Sequence, residues 1–375
     1  MSSVGALYIH VPFCRRKCRY CDFPSEATSS DDVRLRLHVE ELGKQIAASA
    51  GEGLLGKCKT AYVGGGTPTL LGADLLAELL ACVRRHCPQL RELTFEANPD
   101  SLSDEVLAMA VDAGATRVSI GVQSFIDDEL EALGRLHTAE AARRCVEGAV
   151  GRGVRVSVDL MCAIPRQTDD SWSRTLDEAM GLGVGHVSVY PLTIEEGTAF
   201  GERYGQETPA WNDEDVQADR MEQAQEALAA AGFSRYEVAS YALPGMECRH
   251  NQAYWTGVPY LGLGTGAAGM LLPEQCGSAR RVLPWLPEVD SAAARIRYET
   301  QGREVELLGT RESWAEDLML GMRMSNGVDA GLVPANVLGS LEQRGLVRVE
   351  RGRMVPTHDG WLLGNELYGV LWDLA

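Results

Sequence analysis

Three cysteines, Cys14, Cys18 and Cys21, stand in a C-x3-C-x2-C arrangement, and no other segment of the chain gathers so much soft-metal chemistry. The remaining seven of the ten cysteines are scattered. Disulfides would require an oxidising compartment. The start MSSVGALYIHVPFC has no basic segment followed by a long apolar one, so the thiols are expected to be reduced and the protein cytosolic. Clustered reduced thiols point to metal. Zinc can be held by three thiolates and a water, although zinc ribbons use paired C-x2-C knuckles and the sequence has no second pair. A [4Fe–4S] cluster fits the triad better. Each thiolate takes one iron, which leaves the fourth iron open to a substrate or cofactor.

Other residue types add to this. Gly64, Gly65 and Gly66 follow an apolar β-branched run, where glycine lets the backbone approach a ligand closely and offer its N–H groups to a carboxylate. Glu96 ends the next such run, and Asp159 lies inside the apolar stretch VSVDLM. A carboxylate in that setting needs a partner or a ligand, and Arg135 is the expected partner. His250 precedes Tyr254 and Trp255 in HNQAYW; a neutral imidazole there could ligate a metal or simply be hydrogen-bonded. Cys248, two residues away, is an alternative ligand. Cys58, Cys82, Cys87, Cys145, Cys162 and Cys276 lie in apolar or helix-like settings and are expected to pack as small hydrophobes. Thirty-five basic against 53 acidic side chains give a net charge of −18, which excludes generic nucleic-acid binding. Against that background Arg15, Arg16, Lys17 and Arg19 make the cysteine loop basic.

These groups need elements to position them. Strands are expected at Ala6–Val11, Thr60–Val63, Leu93–Glu96, Arg117–Val122, Arg155–Leu160 and His186–Tyr190. Helices are expected between them at Asp32–Ser49, Asp74–His86, Asp104–Ala113, Ala139–Arg152 and Asp170–Leu182, with Ser103 and Thr138 as caps. The alternation predicts an α/β fold whose parallel sheet closes, or nearly closes, into a barrel. An acidic helix at Asp213–Ala231 and an extended segment at Arg235–Tyr241 follow. Residues 244–287, rich in Gly, Pro and aromatics, show no helical period and read as an ordered connector on the barrel mouth. Helix-like Ser313–Met324 and Val333–Arg344, a hairpin in LVRVERGRMVPT and a final helix from His358 have the grammar of a small winged-helix-like domain. The expected division is 1–235 barrel, 236–305 connector and 306–375 C-terminal α+β domain. No stretch approaches the roughly 18 apolar residues that span a bilayer.

CRRKCRYCDF, together with YIHVPFC, GGGTPT, FEANPD, SIGVQS, DLMCAIP and HNQAYW, resembles the radical S-adenosylmethionine (SAM) superfamily, and within it the coproporphyrinogen III oxidase-like branch. The resemblance implies a partial (β/α)6 barrel with the cluster loop after its first strand. It implies metal ligands Cys14, Cys18 and Cys21, and SAM on the open iron, cleaved on reduction to methionine and a 5′-deoxyadenosyl radical. SAM contacts would come from Tyr8, Tyr20, Gly64, Gly65, Gly66, Thr67, Glu96, Gln123, Arg135 and Asp159. Some of these positions contact a second SAM in the oxidase relative. HNxxYW makes His250 the heme candidate, with Tyr254 and Trp255 against the porphyrin.

Within the branch, the oxidase carries a fourth cysteine where Phe23 stands, and a longer segment ahead of the cluster than the 13 residues before Cys14. Both differences favour a chaperone that binds heme as cargo and delivers it to membrane respiratory hemoproteins. The alternatives are an oxygen-independent coproporphyrinogen III oxidase or another radical SAM enzyme acting on a tetrapyrrole, such as the heme-opening methyltransferases. A flavodoxin- or ferredoxin-type reductant is the expected partner of the basic loop, and heme delivery implies transient membrane contact.

Overall fold

Apolar residues at alternate positions, β-branched in most cases, make six segments strands: β1 Ala6–Val11, β2 Thr60–Gly65, β3 Glu92–Ala97, β4 Arg117–Gln123, β5 Arg155–Cys162 and β6 His186–Pro191. The computed structural model describes residues 3–289 and 292–375. In it the six strands lie side by side in chain order and all are parallel. Parallel neighbours require long crossovers. These carry helices α1 Val33–Gly51, α2 Gly72–His86, α3 Asp104–Asp112, α4 Ala139–Gly151 and α5 Asp169–Gly181, with α6 Glu214–Ala230 after β6. Side chains stop the helix starts from fraying. Asp32, Ser103 and Thr138 each accept a first-turn N–H, and Thr168 forms a capping box with Ser171.

The sheet does not close. Beyond β6 it ends in β7 (Ser240–Ala242) and the two-residue strand Ser234–Arg235, both antiparallel. On the other flank β8 (Tyr260–Leu263) pairs in parallel with β1, and antiparallel β9 (Ala268–Leu271), β10 (Arg295–Glu299) and β11 (Glu304–Leu308) complete a 12-stranded sheet. The barrel is therefore partial.

Residues 244–287 depart from expectation. They hold helix α7 (Arg249–Trp255), strands β8 and β9, and helix α8 (Pro273–Val282). Local periodicity could not show this, because distant groups fix these short elements. The Glu92 carboxylate on β3 accepts the backbone N–H groups of Arg249 (3.2 Å) and His250 (2.9 Å), so it caps α7 across 157 residues of chain. The glycines of YLGLGTGAAG serve close strand packing: a Cβ on Gly262 would lie 2.0 Å from the carbonyl oxygen of Ala268.

The C-terminal part contains helix α9 (Thr310–Gly321), a helix at Ala335–Gln343, a three-stranded antiparallel sheet, and helices His358–Leu362 and Gly364–Trp372. It has its own core around Leu318, Met322, Leu341, Met354 and Leu367. The Trp361 indole donates to the Val238 carbonyl (2.9 Å) and lies 4.3 Å under the Arg235 guanidinium, which seats this part on the sheet edge.

Candidate functional site

The cysteine loop leaves β1 at the C-terminal end of the parallel strands, where an α/β barrel places its ligand-facing loops. Short pairings hold it. Phe13–Cys14 pairs with Glu26–Ala27, Thr67 N–H donates to the Phe13 carbonyl (2.7 Å), and Arg19 N–H donates to the Leu133 carbonyl (3.1 Å). All three cysteines are free and partly buried. Burial pushes the Cys14 thiol up and the Cys21 thiol up to about 11. The Thr67 hydroxyl donates to Cys14 Sγ (3.5 Å) and accepts from Asn98 Nδ2 (3.0 Å). Arg135 Nη1 donates to Cys18 Sγ (3.4 Å), while its Nη2 donates to Asn98 Oδ1 and the Gly121 carbonyl (both 2.7 Å).

Two observations test the fit to a thiolate-held iron–sulfur cluster. Arg135, whose Nη1 donates to Cys18 Sγ, has its Nε buried without a hydrogen-bond partner, a donor suited to a negatively charged group. Among the described residues no three His, Cys, Asp or Glu side chains converge on one point as a single ion would need. A cluster does not need that, because each thiolate takes its own iron. The residues fit the group.

Below the loop lies a cavity of about 490 Å³ lined by Tyr20, Cys21, Tyr62, Glu96, Gln123 and Asp159, among others. Strand parity builds its walls. Tyr62, Glu96, Ser119, Ser157, Asp159 and Ser188 sit at alternate positions of β2–β6, and the register aligns Glu96 with Ser119, Ser119 with Ser157, and Asp159 with Ser188. Glu96 accepts from the Tyr62 hydroxyl (2.8 Å) and the Gly65 N–H (3.0 Å). Burial, with Asp159 next in effect among the raising causes, lifts its carboxyl to about 7. Burial likewise lifts Asp159 to about 6, although the Ser119 hydroxyl donates to it at 3.1 Å. The expected Arg135–Asp159 pairing is not formed. Arg135 instead hydrogen-bonds Cys18, Asn98 and Gly121 and reaches Asp159 only through its charge, so among the described residues neither carboxylate forms an ion pair.

The glycines are required by close approach. A Cβ on Gly64 would stand 2.9 Å from the Glu96 carboxyl, and one on Gly66 would stand 2.5 Å from the Phe13 carbonyl oxygen. Gly64, Gly65, Gly66, Thr67 and Arg135 therefore form the shell between loop and cavity, whereas Tyr20, Glu96, Gln123 and Asp159 line the cavity itself. Gln123 ends β4 with φ +67, in the left-handed region, beside a register shift.

Tyr8 lies elsewhere. It stacks on Tyr62 (6.3 Å, 24°), Tyr62 stacks on His250 (5.2 Å, 25°), and His250 meets Tyr254 edge-on (4.8 Å), which in turn meets Tyr260 (4.7 Å). This aromatic wall divides the lumen. Beyond it a second, mainly apolar cavity of about 370 Å³ is lined by Tyr8, Tyr254, Trp255, Tyr260, Met270 and Leu320, among others, and Phe23 borders both cavities.

His250 belongs to neither cavity. It is fully buried, with Nδ1 at 3.0 Å from Thr60 Oγ1 and Nε2 at 2.9 Å from the Tyr254 hydroxyl. Burial lowers its pKa to about 3. Cys248 is also buried and donates to Glu92 Oε1 (3.5 Å), and burial pushes its thiol up to about 12. Cys58, Cys87, Cys162 and Cys276 are buried, and Cys82 and Cys145 pack against the core.

Sequence reasoning missed Tyr62, Asn98 and the serines of β4–β6. The serines had a signal: RVSIGV, RVSVDL and HVSVYP each place a polar residue at the same parity of an apolar strand. Asn98 had none, since its role depends on meeting Thr67 and Arg135 in space.

Residues 8–179 match the family model of the radical SAM superfamily. The chain is 35% identical to heme chaperone HemW of Mycobacterium tuberculosis over 97% of its length and 94% of that protein. It is 34% identical to heme chaperone HemW of Bacillus subtilis over 97% and 98% of the two lengths. The fold matches the crystal structure of coproporphyrinogen III oxidase (HemN) from Escherichia coli with a TM-score of 0.76 at 19% identity, covering 98% of this chain and 90% of that one. With its thiol loop, open parallel sheet and near full-length similarity to these proteins, the chain belongs to the HemW family of the radical SAM superfamily.

Proposed function

We propose that this protein is a heme chaperone: it carries a [4Fe–4S] cluster on Cys14, Cys18 and Cys21, binds SAM beneath it, and takes heme as cargo. The carrying observation for cargo handling is similarity to HemW proteins over almost the whole of both chains. For the cofactors it is the cavity beside the thiol loop, into which Glu96 and Asp159 face. Glu96 and Asp159, held high by burial although Arg135 pulls Asp159 partly back and forming no ion pair of their own among the described residues, favour a ligand that brings positive charge, and SAM carries a sulfonium and an ammonium. When bound, the cluster and SAM supply one-electron chemistry that belongs to the cofactors themselves. The chain's part is to orient and to exclude water. Gly64, Gly65 and Gly66 keep the Glu96 carboxylate close to the backbone, Arg135 donates Nη1–H to Cys18 Sγ, and Gln123 and Tyr20 close the sides.

Delivery to membrane respiratory hemoproteins is part of the same proposal. Among the described residues no helix is long and apolar enough to cross a membrane. The basic loop supports docking of a flavodoxin- or ferredoxin-type reductant. Arg15 pairs with Asp100, but Arg16, Lys17 and Arg19 form no ion pair with a carboxylate among the described residues. The division into barrel, connector and C-terminal domain remains a proposal, and strand β8 supports assigning part of the connector to the sheet.

The test is anaerobic reconstitution with iron, sulfide and SAM, then incubation with heme or with coproporphyrinogen III. Stable one-to-one heme binding without conversion of coproporphyrinogen is expected. Formation of protoporphyrinogen would establish the oxidase reading instead.

A further inference from the structure

We propose that the cargo macrocycle enters the apolar cavity and that the phenol oxygen of Tyr254, backed by His250, ligates its ferric iron. This rests on the heme reading above. Three observations carry it.

First, His250 has both ring nitrogens engaged and no exposed surface, so it could reach an iron only by abandoning Thr60 or Tyr254. Second, Tyr254 lines the apolar cavity while its hydroxyl sits 2.9 Å from His250 Nε2, and tyrosine oxygen is an established class of axial ligand to heme iron. Third, the surroundings suit a flat apolar body. Trp255, Tyr260, Met270, Leu320 and Phe23 line the cavity, and its cation Arg297 is held by Glu306 (3.4 Å) and Glu316 (3.0 Å). With that charge cancelled, the cavity gives no net attraction to carboxylates, so the macrocycle enters apolar edge first and its carboxylates stay in water.

The proposal assigns the ring proton of His250 to Nδ1, donated to Thr60 Oγ1, which leaves Nε2 as acceptor. As the Fe–O bond forms, the phenol O–H bond breaks and its proton passes to Nε2. The iron stays ferric. Burial keeps His250 neutral while no negative partner is near, and the new phenolate at hydrogen-bond distance supplies that partner.

The same cavity contains an internal control. Tyr8 also lines it, and its hydroxyl lies 2.9 Å from His10 Nδ1, while His10 Nε2 contacts the Pro24 carbonyl (2.8 Å). This second tyrosine–histidine pair is held by Pro24, just after the cysteine loop, rather than by α7.

The experiment titrates the full chain with ferric heme, read by absorbance and resonance Raman, with cluster incorporation as the folding control. The wild type should show a high-spin ferric spectrum with an iron–phenolate stretch. Tyr254→Phe should lose that stretch and bind heme at least tenfold more weakly, yet bind iron-free protoporphyrin within about twofold of wild type. His250→Asn, which removes the acceptor of the phenol proton, should show the stretch only at higher pH and at a shifted frequency, and Tyr8→Phe should leave it unchanged. An unchanged spectrum in Tyr254→Phe, loss of the stretch in Tyr8→Phe, or a nitrogen-ligated wild-type spectrum abolished in His250→Asn would each overturn the assignment while leaving heme binding intact. No heme binding by the wild type would overturn the functional reading and this proposal together.

Discussion

One lumen holds two cavities of different chemistry, separated by the rings of Tyr8, Tyr62, His250, Tyr254 and Tyr260. On one side β2–β6 present serines, Glu96 and Asp159, and the two carboxylates are hydrogen-bonded by hydroxyls rather than ion-paired, with Arg135 only a distant influence on Asp159. On the other side β1, β8–β10 and α9 present aromatic and aliphatic groups, and the one arginine among the described lining residues, Arg297, is paired with Glu306 and Glu316. The first is unsatisfied and attracts positive charge; the second is satisfied and attracts apolar surface. A single sheet can do both, because the parity of each strand decides what its lumen face presents, independently of its neighbours.

The sharpest break in this comparison comes from the thiol loop. Replacing Cys14, Cys18 or Cys21 by Ala should remove nearly all bound iron and sulfide and bleach the cluster absorbance, while heme binding beyond the wall persists. Loss of both together, in a folded protein, would show that the cavities are not independent. Next in size is the common floor. Arg117 and Glu92 are buried and paired (3.6 Å), and Glu92 also caps α7, which carries His250 and Tyr254. Glu92→Gln should cost about 3–5 kcal/mol in denaturant unfolding and weaken both cavities; a loss confined to one would refute a shared floor.

A smaller effect separates the polar side by pH. Glu96 and Asp159 have folded-state values raised to about 7 and about 6. The ligand-free protein therefore binds more protons than the unfolded chain between the ordinary carboxylate range and those values. The stability this gives is present at low pH and is lost as pH rises through about 6 to 7. SAM, being cationic at these groups, should bind more tightly over the same rise and release protons on binding. Glu96→Gln should flatten both profiles, read by melting temperature and calorimetry, whereas heme binding should keep its own pH dependence. The smallest effect concerns the basic loop. Lys17→Glu should slow reduction by flavodoxin severalfold but leave reduction by dithionite unchanged, and equal slowing would remove the docking reading.

The thiol spacing, the strand–helix alternation and the cap residues Ser103 and Thr138 were readable in the sequence because each is a local pattern. The wall was not. Its five rings come from β1, β2, α7 and β8, segments that meet only after folding. Helix α7 is two turns long and is held by Glu92, so RHNQAYW offered no period to read. For the same reason the sequence left His250 open between ligand and hydrogen-bonded residue, and its two hydrogen bonds, to Thr60 and Tyr254, become visible only in the assembled lumen. Asp159 was correctly singled out as a carboxylate in an apolar strand, but its partner proved to be Ser119 rather than Arg135, because Asn98 and Cys18 claim the guanidinium.

The central claim is that SAM and heme occupy different sides of one wall. It is tested most directly by titrating ferric heme into cluster-loaded protein with and without saturating SAM, under anaerobic conditions. The account predicts one heme per chain in both cases, with dissociation constants within about threefold of each other. Displacement of SAM by heme, or heme binding abolished by SAM, would contradict it.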